Sequence, residues 1–160
     1  MPSAISNTSP LVYLHRVGAL NLLPQIFGEV CTTSATEQEL LEGKMRSYEV
    51  PIVGETAWLK IINPSNTPAE WFALDLGPGE IAAMALALEK PDQIVLLDDA
   101  LARRIAQAAG LQVWGTLRVV LEAKKQGFVP EIAPIILHLG ESGMWISEAI
   151  KQRILDLAGE

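Results

Sequence analysis

The sequence has little of what several structural classes require. Its 160 residues include one cysteine, Cys31, so an internal disulfide framework is excluded and a cytoplasmic protein is the simplest expectation. The longest apolar runs, such as residues 81–88, are far shorter than the roughly 20 residues that cross a bilayer. The N-terminal segment lacks the basic, apolar and small-residue regions of a secretory signal. We therefore expect no membrane partner.

The residues that are present suffice for a hydrophobic core. Hydrophobic residues make up 49% of the chain and charged residues 19%, which excludes intrinsic disorder because ample apolar area offsets the entropy of ordering. The length is that of one ordinary domain, and no internal repeat, low-complexity tract or interdomain linker divides it. Residues 1–160 are therefore predicted to form a single domain.

The charge is unevenly distributed. The formal net charge is −7, which argues against a protein that coats nucleic acids in general. Residues 100–130, however, hold five basic residues against one acidic residue, a local charge of +4 that leaves −11 for the remainder. Such a basic stretch can grip a phosphate backbone, particularly where metal ions neutralise the acidic part. The alternative is a set of solvated helix faces, and the charge pattern leaves both open.

Glycine and proline divide the chain into short alternating elements. Strands separated by helices of about ten residues favour βαβ units, so the predicted fold class is α/β, with a mostly parallel central sheet and helices on both faces. Apolar runs predict strands at residues 4–6, 30–33, 58–62, 94–97 and 111–114. Caps and periodicity predict a helix that begins at Thr8, with breaks at Gly18 and Pro24, and helices at 34–43, 78–90, 100–109, 116–125, 130–139 and 147–158. Residues 44–54 and the loop around Pro68 are predicted to be irregular.

Polar and acidic side chains fall where the predicted strands end. Asn7 follows the first strand, and the pair Asp98-Asp99 follows the strand at 94–97. In an open parallel sheet, ligands gather at the carboxyl ends of the strands. Each residue also has a structural explanation, since Asn7 can cap the first helix and either aspartate can cap the helix that follows. Taken one at a time, these residues indicate no function.

Two glutamates lie on predicted helices. Glu80 stands at the start of its helix, behind Gly77-Pro78-Gly79, where a carboxylate interacts favourably with the helix N-terminus. Glu39 lies within the helix at 34–43, where a solvated surface residue is the ordinary interpretation. Position alone therefore assigns neither glutamate to a site.

Together, these residues lie in blocks whose order resembles that of PIN-domain proteins. The blocks are S-N-T-S-P-L from Ser6, E-L-L at 39–41, G-x-G-E ending at Glu80, and L-L-D-D-x-x-A-R ending at Arg103. The resemblance extends over nearly the whole chain and is strongest to a small prokaryotic subgroup of predicted nucleic-acid-binding proteins. It implies a single PIN-like domain.

The resemblance also implies a metal-dependent nuclease that hydrolyses RNA phosphodiester bonds. Members of the family bind Mg²⁺ or Mn²⁺ through three or four carboxylates. The second acid corresponds to Glu39 and the third to Glu80, which become catalytic and metal-binding candidates. The fourth corresponds to Asp98 or Asp99, without a choice between them. The first acid falls on Asn7, whose amide offers a cation a carbonyl oxygen but no charge.

Further residues and partners follow from the same resemblance. Thr8 and Ser9 would position a substrate phosphate through hydroxyl and backbone N–H groups at a helix N-terminus. Arg103 would hold the metal ligands in place or contact a phosphate, with a surface ion pair as its alternative. Many prokaryotic members are the toxins of toxin–antitoxin pairs, so a small antitoxin-like protein is an expected partner. A homodimer is expected because small PIN domains commonly pair.

Two alternatives to an active nuclease stay open. Asn7 favours a PIN-fold module that has lost hydrolysis and binds RNA or a protein, whereas the retained acids favour the enzyme. A receiver-like signalling domain also binds Mg²⁺ through an acidic pair at a strand end. In such domains the pair usually follows the first strand, whereas here it lies past residue 97.

Overall fold

Five short strands form one sheet in the computed structural model, which describes residues 1–160. All neighbouring strands are parallel, and the order across the sheet is β3-β2-β1-β4-β5. The strands are β1 (Ala4–Ser6), β2 (Val30–Thr32), β3 (Leu59–Ile61), β4 (Ile94–Leu96) and β5 (Gln112–Trp114).

Eight α-helices surround this sheet and pack on both of its faces, so the predicted α/β class with a parallel sheet is confirmed. None of them combines the length and hydropathy required to span a bilayer. The helices are α1 (Thr8–Arg16), α2 (Leu22–Ile26), α3 (Ser34–Met45), α4 (Pro78–Glu89), α5 (Ala100–Ala108), α6 (Thr116–Lys125), α7 (Ala133–Glu141) and α8 (Glu148–Leu157).

Alternate residues of the central strands point to opposite faces of the sheet and build two separate cores. Ala4 and Ile94 pack on the face covered by α1, α2, α6 and α7. Ile5 and Val95 pack on the face covered by α4 and α5. All residues of β1 and β4 are buried, and β4 reads as a continuous apolar run, as expected for a central strand of a parallel sheet.

The connections place a crevice beside the central strand. The chain moves from β1 to β2 and β3 on one side, then crosses back to β4 and β5 on the other side of β1. The side on which successive strands are added therefore changes between β1 and β4. These two strands remain parallel and pair from Ala4–Ile94 to Ser6–Leu96. Ligands of open parallel sheets bind outside the carboxyl ends of the strands at such a reversal.

Some boundaries differ from the sequence-based prediction. α3 extends to Met45, and single 3₁₀ turns occupy Val53–Glu55 and Ala69–Ala73, where the sequence predicts irregular structure. Short 3₁₀ turns carry no apolar periodicity, so a pattern search does not detect them. α7 begins at Ala133, and Pro24 lies inside α2 instead of breaking it. A proline is tolerated there because the first-turn N–H groups of a helix have no intrahelical partner.

Candidate active site

The amino end of α4 presents backbone N–H groups to two carboxylates. The N–H of Gly77 donates to Glu80 Oε1 at 2.9 Å, and the N–H of Gly79 donates to Glu39 Oε2 at 3.0 Å. Pro78, which has no N–H, occupies the first helical position between them. The helix end therefore binds one carboxylate from its own first turn and one from α3. Its positive dipole end stabilises both charges.

Glu39 connects three elements of the fold. Besides the bond from Gly79, its Oε1 accepts a hydrogen bond from the Thr8 hydroxyl at the start of α1. These contacts leave the residue half-buried, so the interpretation of Glu39 as a solvated surface residue is wrong. Thr8, for which the resemblance implies contact with a substrate phosphate, donates its hydroxyl hydrogen to Glu39 in this structure.

A side chain at Gly79 would displace the ends of Asn7 and Glu39. A Cβ at this position would lie 2.9 Å from Asn7 Oδ1, and still closer to Glu39 Oε1. Both approaches are shorter than Cβ atoms ordinarily tolerate. The missing side chain therefore lets the first turn of α4 pack directly against the ends of Asn7 and Glu39, which explains the second glycine of the G-x-G-E block.

Asn7, at the carboxyl end of β1, carries a buried amide oxygen that has no hydrogen-bond partner. The residue is only 3% exposed. Although it occupies the N-cap position of α1, its side chain accepts no bond from the helix. The capping explanation for Asn7 is therefore wrong. An unsatisfied buried oxygen costs about 1–3 kcal/mol, so this atom is suited to accept an external donor or cation.

The two aspartates that follow β4 make different contacts. Asp99 Oδ2 accepts a hydrogen bond from the N–H of Ala102 at 2.9 Å and so caps α5. Its Oδ1 has no partner within the protein, and its charge lies close enough to raise the pKa of Glu80. Asp99 therefore combines a structural cap with a free oxygen that belongs to the acidic group.

Asp98 has both carboxylate oxygens occupied by one residue. Oδ1 accepts from the N–H of Thr116 at 2.8 Å, and Oδ2 accepts from the Thr116 hydroxyl at 2.7 Å. Burial raises the pKa of Asp98, while these bonds and the nearby charge of Arg103 oppose that rise. Asp98 thus ties the end of β4 to the start of α6, and the geometry favours Asp99 as the aspartate of the site.

The two remaining predicted site residues, Arg103 and Ser9, form no ion pair or hydrogen bond with the acids. Arg103 Nη1 donates to the backbone oxygen of Leu97 at 3.2 Å and forms no ion pair. It braces the turn after β4 on the Asp98 side. Ser9 is half-buried in the first turn of α1, and its hydroxyl makes no hydrogen bond within the protein. Its contact with a substrate phosphate stays a prediction.

Glu80 is the residue of the acidic group whose pKa is raised by its neighbours. Partial burial is the largest cause that raises its pKa above the ordinary 4.5, and the hydrogen bond from Gly77 opposes it. The negative charges of Asp99, Glu39 and Asp75 raise the pKa further. These four carboxylates therefore share one region of negative potential, as expected where a cation binds.

This pKa shift predicts a pH-dependent effect of Glu80→Gln. A carboxyl whose pKa is raised by folding binds its proton more tightly in the native state, so its ionisation destabilises the fold as the pH rises above 4.5. Glutamine does not ionise. The stability of the variant relative to wild type should therefore increase between about pH 4 and pH 7, measured by urea unfolding in EDTA.

A matched control for this series is Glu131→Gln. Glu131 is exposed before α7 and makes no side-chain hydrogen bond, so its replacement should produce no pH-dependent difference. A difference between Glu80→Gln and wild type that does not change with pH would show that the Glu80 carboxyl is not destabilised in the folded protein.

The donor set fits a hydrated divalent cation better than a fully ligated one. No three acidic, histidine or cysteine side chains come close enough to hold one ion together. The converging donors are carboxylate and amide oxygens, which hard cations prefer, and Mg²⁺ commonly keeps several waters while binding one or two carboxylates. The unpaired Asn7 oxygen, beside Gly79 and Glu39, matches such an ion.

Two contributors are absent from the sequence-based candidate set. Asp75 precedes α4 in an irregular segment, so nothing in the local sequence marks it, yet its charge acts on Glu80. Thr116, at the start of α6, donates hydrogen bonds from its N–H and its hydroxyl to Asp98. A signal for Thr116 exists, because Gly115-Thr116 directly follows a strand and opens a helix, which places a hydroxyl at the carboxyl edge of the sheet.

Comparisons with known proteins agree with this architecture. A family model described as a PIN domain matches residues 3–160. Among solved structures, the fold is similar to that of a PilT N-terminus domain protein from the hyperthermophilic archaeon Sulfolobus solfataricus P2. The TM-score is 0.55 at 13% sequence identity, with 91% of this chain and 98% of that chain covered, so the likeness concerns the fold. No curated protein sequence matches the chain.

Proposed function

Because the chain belongs to the PIN-domain family, whose fold is generally that of a nuclease, we propose that it is a metal-dependent ribonuclease acting on RNA phosphodiester bonds. The observation that supports this most is the buried, unpaired Asn7 oxygen at the chain reversal between β1 and β4. This oxygen lies beside Glu39 and the first turn of α4. Glu80 lies in that turn, and the negative charge of Asp99 raises its pKa.

The residues with unused oxygens are those that would hold the ion. Glu80 Oε2 and Asp99 Oδ1 accept no hydrogen bond within the protein, and Asn7 Oδ1 is unpaired. We assign Mg²⁺ or Mn²⁺ to these three atoms, directly or through water. When bound, such an ion lowers the pKa of a water and stabilises negative charge on the phosphate oxygens.

The remaining residues position the substrate and the ligands. Glu39, bonded to Thr8 and Gly79, fixes α1 and α4 around the crevice. Ser9 and the free N–H groups in the first turn of α1 offer donors to a phosphate, since a helix N-terminus favours anions. Hydrolysis then joins a water oxygen to phosphorus and breaks one P–O bond to ribose, and the departing oxygen takes up a proton.

The proposal is tested by incubating purified protein with a mixed pool of single-stranded and structured RNA. We expect cleavage with Mg²⁺ or Mn²⁺ and none with EDTA. Bound but uncut RNA in the presence of either metal would overturn the enzymatic proposal. It would support the alternative of a PIN-fold binding module, which Asn7 and the lack of a three-carboxylate cluster favour.

Asn7→Asp tests whether the amide limits activity. Ligand charge tunes cation affinity, so the added carboxylate should tighten Mn²⁺ binding roughly tenfold and increase cleavage. In EDTA the same variant should melt at a lower temperature than wild type, because a charge is buried without a partner. Melting curves recorded with and without Mn²⁺ measure both effects.

The matched control is Asn21→Asp, at the start of α2. Asn21 is exposed and, like Asn7, occupies a helix N-cap without a side-chain capping bond. Its replacement should leave the melting temperature and its response to Mn²⁺ unchanged. An Asn7→Asp protein that is no more responsive to Mn²⁺ than Asn21→Asp would contradict a cation site at the end of β1.

We further propose a role as the toxin of a toxin–antitoxin pair, with a small antitoxin-like partner, and self-association as a homodimer. Both partners rest on the family resemblance. Light scattering tests the second one directly: we expect twice the monomer mass at micromolar concentration, and a monomer throughout would contradict it.

A further inference from the structure

The side chain of Arg118 is held in place without being neutralised. Its guanidinium lies over the ring of Trp114, 4.5 Å from the ring centroid. The residue is exposed and takes part in neither an ion pair nor a side-chain hydrogen bond. Guanidinium N–H groups lie in the plane of the group, so stacking on an aromatic face leaves these donors free.

The aromatic partner is itself fixed to the core. Trp114 ends β5, and its ring packs against that of the fully buried Phe27, with centroids 5.5 Å apart. Arg16 and Arg103, by contrast, donate hydrogen bonds to backbone oxygens of the protein. Arg118 therefore combines a defined position with free donors, which reduces the entropy lost when it binds an anion.

Arg118 stands at the same edge of the sheet as the acidic group. It is the third residue of α6, which begins at Thr116, the residue bonded to Asp98. With a rise of about 1.5 Å per residue, it lies roughly 3 Å along the helix axis from Thr116. Asp99 directly follows Asp98, so the backbone of Arg118 lies at the carboxyl edge of the sheet, on the β5 side of the candidate site.

The positive charge of Arg118 matters because the chain carries a net charge of −7. An acidic protein that binds a polyanion needs positive charge beside the site to offset repulsion of the strand. We propose that Arg118 binds a phosphate of a single RNA strand that crosses the carboxyl edge of the sheet from α1 toward α6. This inference rests on the proposed function for its substrate class.

The test measures binding of a labelled single-stranded RNA in EDTA, where hydrolysis does not interfere. Arg118→Ala should weaken binding about 3- to 10-fold and make the slope of log K against log salt shallower by about 0.7, the value for one phosphate contact on a single strand. Arg118→Glu should weaken it further. Arg118→Lys, which keeps the charge but loses planar stacking, should fall between wild type and alanine.

The control is Arg153→Ala, an exposed arginine on α8 that makes no hydrogen bond or ion pair. Affinity and salt slope for Arg118→Ala that match those of Arg153→Ala would overturn the inference, as would wild-type protein that binds no RNA. Cleavage assays with Mn²⁺ are run in parallel. RNA that is bound through Arg118 but never cut would support the inference while overturning the nuclease proposal.

Discussion

Replacing Glu80 by glutamine is expected to lower metal-dependent RNA cleavage about 10²- to 10³-fold, the loss typical of removing one preorganised electrostatic group. Glutamine keeps the oxygen that accepts from the Gly77 N–H but removes the charge that would hold a cation. The variant should remain folded, because it loses a carboxylate that burial and three neighbouring acids destabilise. Initial cleavage rates over a Mn²⁺ titration measure the effect.

Glu131→Gln serves again as the matched control and should cleave like wild type. A Glu80→Gln protein that cuts RNA at the wild-type rate, with the same dependence on Mn²⁺, would remove Glu80 from the proposed metal site. Loss of cleavage in a variant that melts no lower than wild type is the result that separates a functional role from a structural one.

The second large effect is expected at Asp98. Asp98→Ala should lower the free energy of unfolding by about 3 kcal/mol, because the buried N–H and hydroxyl of Thr116 lose a charged acceptor. Asp99→Ala removes an N-cap and should lower it by about 1 kcal/mol. Urea unfolding in EDTA compares the two, and equal losses would contradict the different contacts of the neighbouring aspartates.

In cleavage assays the order of the two positions should be reversed, with the larger loss at Asp99. Asp98→Asn can still bond to Thr116 and should keep most of the activity. Asp99→Asn keeps an oxygen for capping α5 but loses its charge, and should cleave at least about tenfold more slowly. A folded Asp98→Asn protein without cleavage, beside an active Asp99→Asn protein, would reverse the assignment.

Much of the fold could be predicted from the sequence because its patterns are local. The run at 94–97 and the helix that follows Asp99 reflect burial on both faces and a side-chain cap, and each depends on neighbouring residues. Most predicted strands and helices are accordingly present within a few residues. The 3₁₀ turn at Ala69–Ala73 lacks such a pattern, since Trp71 is anchored in the core by tertiary contacts.

The site could be predicted as a set of residues but not as a geometry. The sequence leaves Asp98 and Asp99 equivalent; in the structure Asp98 accepts two bonds from Thr116, whereas Asp99 caps α5. Asn7 has the sequence context of a helix cap, yet its oxygen stays unpaired beside Gly79. Such choices depend on which elements meet in space, and local sequence does not contain that information.

The strand order has a consequence for how the protein is synthesised. β1, made first, pairs with β2 and with β4, and β4 lies nearly ninety residues later in the chain; Asp99 follows only after that strand. Chains emerge from the ribosome N-terminus first, so a nascent chain holds Asn7 and Glu39 long before the last acid appears. Any cleavage activity therefore begins only after most of the chain has been released. The proposed metal site is thus completed only when residues well past the middle of the chain have been made.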